Sequence, residues 1–224
     1  LKAGDLDGAT SVLKMGYERN KSLAGEIVPR LEEVLGINLE KAEAVCLLAE
    51  VYRERGETKR ALQLYDHLSV LGSQGAAMAG EGLRRLLSSD ASIAEAQLLL
   101  ATALAASGDF EHGLEQLGLV LKRDGTAPVI SKLDRLARKR PEVAEGIVAA
   151  YEKLAEAGAD RFITRFAIGE AYLIAGNLER AVESFRECTR IDGSKHEEVV
   201  DAYKRVLSWD EGFALAHFAL ADIY

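Results

Sequence analysis

Along this chain, small, aromatic and apolar residues return every three to five positions, which is the spacing of helices that bury one stripe. The run from Ala42 to Leu68 reads AEAVCLLAEVYRERGETKRALQLYDHL. Within it Ala49 is followed by Tyr52, Gly56, Ala61, Tyr65 and Leu68. The pattern predicts two helices joined by a tight turn, with Gly56 supplying the left-handed residue that ends the first. Ala49 and Ala61 let the two backbones approach closely, and Tyr52 and Tyr65 fill the volume beside them. The same ladder recurs at Ala101, Leu104, Gly108, Gly113, Leu117 and Val120, and again at Gly169, Tyr172, Gly176, Ala181, Phe185 and Cys188. A fourth copy begins with Ala221 and Tyr224, and a partial one opens the chain with Gly4, Ala9 and Leu13.

This ladder resembles the tetratricopeptide repeat. The tryptophan usual early in the family's first helix and the proline usual after its second are missing from every copy, so the copies are divergent. The turn glycines Gly4, Gly56 and Gly108 are 52 residues apart, and Gly108 to Gly176 is 68. A standard repeat is about 34 residues, so 68 is two of them and 52 is two less about one helix. The missing account is a third helix. IVPRLEEVL from Ile27, IVAAYEKLA from Ile147 and VVDAYKRVL from Val199 align with one another, with AGEGLRRLL from Ala79 as a weaker fourth. Each unit therefore has helices A and B and an additional B-like helix C. Gly72, Gly75 and Gly193 argue for breaks between B and C. A further helix, from about Ala127 to Lys139, belongs to the 68-residue unit.

The resemblance implies an all-α fold, a curved right-handed α-solenoid of such hairpins with additional helices. It reads as one array over residues 1–224: a partial repeat 1–38, repeats 39–90, 91–158 (with the further helix) and 159–210, and a partial repeat 211–224, as in a piece of a longer protein. A hairpin cannot bury its apolar face alone, so neighbours stack. With three helices per unit, either the third crosses over or the concave face is interrupted.

Composition narrows function. Only three prolines interrupt a sequence rich in helix formers, and hairpin-turn signals for strands are missing. The net charge of −8 disfavours nucleic acid and anionic lipid as partners. Cys46 and Cys188 fall at unlike repeat positions and read as free thiols. No apolar run approaches a membrane span, and there is no signal-peptide layout. These features favour the cytoplasm, with an extracytoplasmic home left open because Leu1 need not be the native start.

No metal, nucleotide or nucleophile motif is present, and no two of His67, His112, His196 and His217 share a helix face at four-residue spacing. No cofactor and no enzymatic activity is expected. The family holds peptides on the inner face of its A helices. Counting Ala49 as position eight, positions two, five, nine and twelve read Glu43, Cys46, Glu50 and Arg53. The next copy gives Glu95, Leu98, Thr102 and Ala105. Then come Ile163, Phe166, Glu170 and Leu173, and finally Leu215, Phe218 and Asp222.

The lysines, asparagines and arginines with which some family members grip acidic tails are absent here. The expected site is acidic and apolar: Glu43, Cys46, Glu50, Arg53, Glu95, Thr102, Phe166, Glu170, Phe218 and Asp222. It suits a basic or amphipathic partner segment. The opposing reading is that these side chains pack under the additional helices. One basic stretch, Lys132, Arg135, Arg138, Lys139 and Arg140 with Asp134, carries net +4 and is either a partner surface or a solvated face. A regulatory domain of a larger enzyme or secretion complex, a nucleic-acid-binding repeat, and self-association through uncapped ends are the alternatives to a protein-binding scaffold.

Overall fold

In a computed structural model, the structure describes residues 5–124, 126–156 and 158–223, with the backbone alone at 121–124 and 126. Gly4 and Tyr224, two positions of the ladder, lie outside the described residues. The protein is all-α, and there is no strand among the described residues. It divides into two compact units, Leu1–Asp109 and Phe110–Tyr224.

The first unit holds α1 (Leu6–Arg19), α2 (Ala24–Ile37), α3 (Ala42–Glu54), α4 (Thr58–Leu68), α5 (Ser73–Ser89) and α6 (Ala94–Ser107). α3 and α4 form the expected hairpin. Gly56 sits between them at φ 74°, with its N–H on the Arg53 carbonyl (3.0 Å) and the Glu57 N–H on the Tyr52 carbonyl (2.9 Å). That pair of bonds satisfies carbonyls a helix end otherwise leaves open. Gly108 repeats the device at the end of α6, at φ 95° with the Asp109 N–H on the Leu104 carbonyl. The additional helix α5 starts after Gly72 and packs on both α3 and α4 before handing the chain to α6. Gly75, expected as a break, lies inside α5, where a Cβ would stand 2.6 Å from the Leu68 carbonyl oxygen. It is a site of close approach, not an interruption. Leu31, Ala49, Tyr65, Leu68, Leu83 and Leu99 are fully buried in the core.

The second unit holds α7 (Phe110–Asp124), α8 (Thr126–Lys139), α9 (Ala144–Glu156), α10 (Arg161–Ile174), α11 (Leu178–Ile191), α12 (His196–Trp209) and α13 (Ala214–Ala221). α8 is the further helix expected near Ala127–Lys139. α10 and α11 form a hairpin around Gly176 (φ 77°), closed by the same two bonds, Gly176 N–H to Leu173 and Asn177 N–H to Tyr172. A one-turn helix, Gly193–Lys195, separates α11 from α12, with Asp192 accepting from the Ser194 N–H. Its core is aromatic. Phe162 stacks on Phe166 with centroids 5.9 Å apart, Phe166 meets Phe185 at 5.3 Å, and Tyr203 closes edge-on at 6.1 Å.

Apart from α7, the second unit is the first shifted by 120 residues. Leu6 and Thr126, Ala24 and Ala144, Thr58 and Leu178, Ala94 and Ala214 open corresponding helices. The correspondence extends to turn chemistry. Gln97 and His217 each reach back to a carbonyl six residues earlier, Ala91 and Glu211, across an Asp-initiated turn at Asp90 or Asp210.

Candidate functional site

α3 is flanked on its inner face by α1 and α5, and between the three runs a groove of about 630 Å³. Its rim and floor carry six carboxylates, from Asp7, Glu18, Glu43, Glu50, Glu54 and Glu81. Three cations stand against them, Lys14, Lys21 and Arg85. Cys46, Leu47 and Met78 add apolar surface. Three of the sequence-expected residues, Glu43, Cys46 and Glu50, therefore line one groove.

Their roles differ. Glu43 is exposed and, among the described residues, without an ion pair, as is Glu18 across the groove on α1. Glu50 is mostly covered, its side chain 13% exposed. It accepts from Arg53 (2.7 Å), from the Tyr65 hydroxyl (2.8 Å) and lies 3.4 Å from Arg85 on α5. Arg53 is thus a partner of Glu50. Glu54 accepts from Lys21 (2.9 Å) and from the Tyr17 hydroxyl (2.7 Å). Burial works to raise its carboxyl, but those hydrogen bonds and the charges of Lys21 and Arg53 outweigh it and hold the group below the usual carboxylate range. Burial, with Glu50 beside it, pushes the Cys46 thiol up to about 11, so it is a protonated, unreactive lining group at neutral pH.

The same position in the second unit is Glu170, with a side chain 10% exposed. It accepts from Arg138 of α8 (3.3 Å) and from Arg205 of α12. Arg85 and Arg205 are equivalent residues of the two additional helices, so each of these helices sends one arginine onto the covered glutamate of its A helix. Sequence reasoning missed both arginines. The signal was present, because they stand at the same place in AGEGLRRLL and VVDAYKRVL.

The groove also has a counterpart in the second unit, a shallower cavity of about 550 Å³ between α8 and α10. Where the first unit presents Asp7, Thr10, Glu18 and Glu43, the second presents Ala127, Ile130, Arg138 and Ile163. Its lining is apolar and cationic. Asp134, its one carboxylate, is raised by burial, against the Tyr151 hydroxyl that donates to it (2.6 Å) and the charge of Arg138.

The remaining expected residues do not converge on either groove. Glu95 is exposed on α6, and Thr102 is buried with its hydroxyl on the Leu99 and Leu98 carbonyls of its own helix. Phe166 belongs to the aromatic core cluster. Phe218 is 64% exposed on α13, and Asp222 lies 3.7 Å from Arg186. Among the described residues no group of histidines, cysteines and carboxylates is arranged to hold a metal ion, and no helix is long and apolar enough to cross a membrane.

Comparison with known proteins places the hairpin. The tetratricopeptide repeat family model matches residues 164–195, which run from α10 through α11. A TPR repeat-containing protein of Pseudomonas aeruginosa is 29% identical over 80 residues, covering 31% of this chain and 76% of that protein. Among solved structures, a tetratricopeptide repeat protein from Parabacteroides merdae aligns over 91% of this chain and 93% of its own, with 17% identity and a TM-score of 0.31. Pseudomonas aeruginosa pilF aligns over 97% of both chains, with 13% identity and a TM-score of 0.31. The glycine-closed hairpin of α10 and α11 is thus similar to a tetratricopeptide repeat, and the hairpin of α3 and α4 closes through a glycine in the same way.

Proposed function

We propose that this chain is a protein-interaction scaffold whose first unit receives a basic, amphipathic segment of a partner protein in the groove between α1, α3 and α5. The observation that carries this is the charge of the groove, six carboxylates against three cations around about 630 Å³, with Glu18 and Glu43 facing solvent and unpaired among the described residues. A lysine or arginine on the incoming segment meets those two carboxylates, and its apolar side chains meet Leu47 and Met78. Glu50 serves the groove indirectly. It is tied to Tyr65 and the arginines, so it fixes α5 against α3 and sets the groove's width.

The test uses a fluorescently labelled helical peptide built of lysine and leucine, followed by anisotropy. The Glu18→Lys/Glu43→Lys double variant touches neither core nor helix cap and is expected to weaken binding about tenfold or more, and binding to the parent chain should fall steeply as salt rises from about 0.05 to about 0.3 M. Reversal of an exposed charge on the second unit, Glu179→Lys, should leave it unchanged. Equal binding by parent and double variant would remove the groove from the account.

A further inference from the structure

A second, smaller cleft lies on the second unit, enclosed by the end of α9, the start of α10 and the end of α11. It measures about 320 Å³ and is lined by Ala155, Arg161, Arg165, Ile168, Glu187, Arg190 and Ile191. Three guanidinium groups meet one carboxylate there, a local charge of +2. Glu187 takes Arg165 at 2.7 Å, which leaves Arg161 and Arg190 with no ion pair among the described residues. Both are exposed on the cleft's rim.

The twin position in the first unit carries no such cluster of cations. At the 120-residue offset Arg161, Arg165, Glu187 and Arg190 correspond to Lys41, Val45, His67 and Val70. There Lys41 is neutralised by Asp7, Val45 is buried, and His67 bonds the Leu39 carbonyl. The A helix thus packs with a buried valine where the second unit carries Arg165, and Val70 stands in the turn after α4. In a chain of net charge −8, unpaired arginines gathered on one cleft call for an anion.

We infer that this cleft binds a phosphomonoester dianion. Such a group carries about −1.5 to −2 charge and three acceptor oxygens, which matches a site of +2 built of forked donors. A single carboxylate would leave half the charge uncompensated. Ile191, 38% exposed, supplies apolar surface for whatever bears the phosphate. The site is separate from the acidic groove and does not rest on it.

The experiment is an amide chemical-shift titration of the full chain with inorganic phosphate, with the tripeptide leucyl-phosphoseryl-leucine, and with glutarate. Phosphate should give saturable shifts confined to the ends of α9, α10 and α11, with glutarate about tenfold weaker. The Arg161→Gln/Arg190→Gln variant alters two exposed side chains, so it should keep its dispersed spectrum while losing phosphate binding by about tenfold or more. Lys139→Gln, on α8, should bind as the parent does. A phosphopeptide held about fivefold tighter than phosphate assigns the source to a protein segment, and equal affinity assigns it to a small phosphate-bearing molecule. Either supports the site. Absence of saturable shifts, or phosphate binding unaltered in the double variant, overturns it.

Discussion

At Glu50 and at Glu170 the two units confront one problem with different residues. In the first unit a tyrosine, Tyr65, fills the space between the A helix and the additional helix, and its hydroxyl satisfies Glu50. The ring has room because residue 82 on α5 is glycine, whose missing Cβ would otherwise strike it. In the second unit the ring is Phe185, and the glycine that admits it is Gly169 on α10, while the additional helix carries Ala202. The relief has moved from one wall of the pocket to the other. Phe185 has no hydroxyl, and Arg138 from α8 supplies the donor Glu170 would lack. What the repeat preserves is a volume and a satisfied carboxylate, and residue identity follows from those two conditions.

The largest effect should come from filling the gap. Gly82→Ala and Gly169→Ala should each destabilise their own unit by about 1–3 kcal/mol, read by urea unfolding with hydrogen exchange resolving the two units. Alanine's better helix propensity offsets about 1 kcal/mol of this at most. Stabilisation by either change would break the close-packing comparison. Shrinking the ring beside it, Phe185→Leu in the Gly169→Ala background, should recover part of the loss.

Next come the glutamates. Each change to glutamine weakens two arginine contacts, but at Glu50 the Tyr65 hydroxyl remains as a donor, so Glu170→Gln should cost more, about 1–2 kcal/mol against about 1. Arg85, Arg138 and Arg205 are each about half exposed and stay hydrated when released, and the less exposed Arg53 keeps Glu54 as a partner, which keeps both costs modest. Equal losses by denaturant titration would show that the tyrosine hydroxyl carries no weight. The smallest expected change is Tyr65→Phe, which makes the first unit resemble the second without giving it an Arg138. It should lower stability by about 0.5 kcal/mol.

The hairpins were legible because their turns admit few residues. A left-handed position favours glycine, so Gly56, Gly108 and Gly176 write their geometry into the sequence. The additional helices were legible through the likeness of Ile147–Ala155 to the segment from Val199. The site was only partly legible. Counting positions along one A helix finds Glu50 and Glu170, but their arginines lie 35 residues on, at Arg85 and Arg205, and helix periodicity says nothing of a contact at that distance. Phe166 occupies a groove position by count yet joins Phe162 and Phe185, because aromatic neighbours within reach offer a larger apolar gain than solvent does. The 120-residue correspondence was hidden because α7 intervenes and few side chains are shared.

Each unit also carries one cysteine, and the two are set differently. Cys46 is a wall of the first unit's groove, and Cys188 is fully buried under Phe162, its thiol pushed by burial up to about 12. Since only the thiolate reacts, both sulfurs are slow toward alkylating reagents at neutral pH, and the release of that restraint is a clock. Alkylation of Cys188 times the opening of the second unit. Alkylation of Cys46 times access to the groove, and a seated partner would stop that clock while leaving the other running.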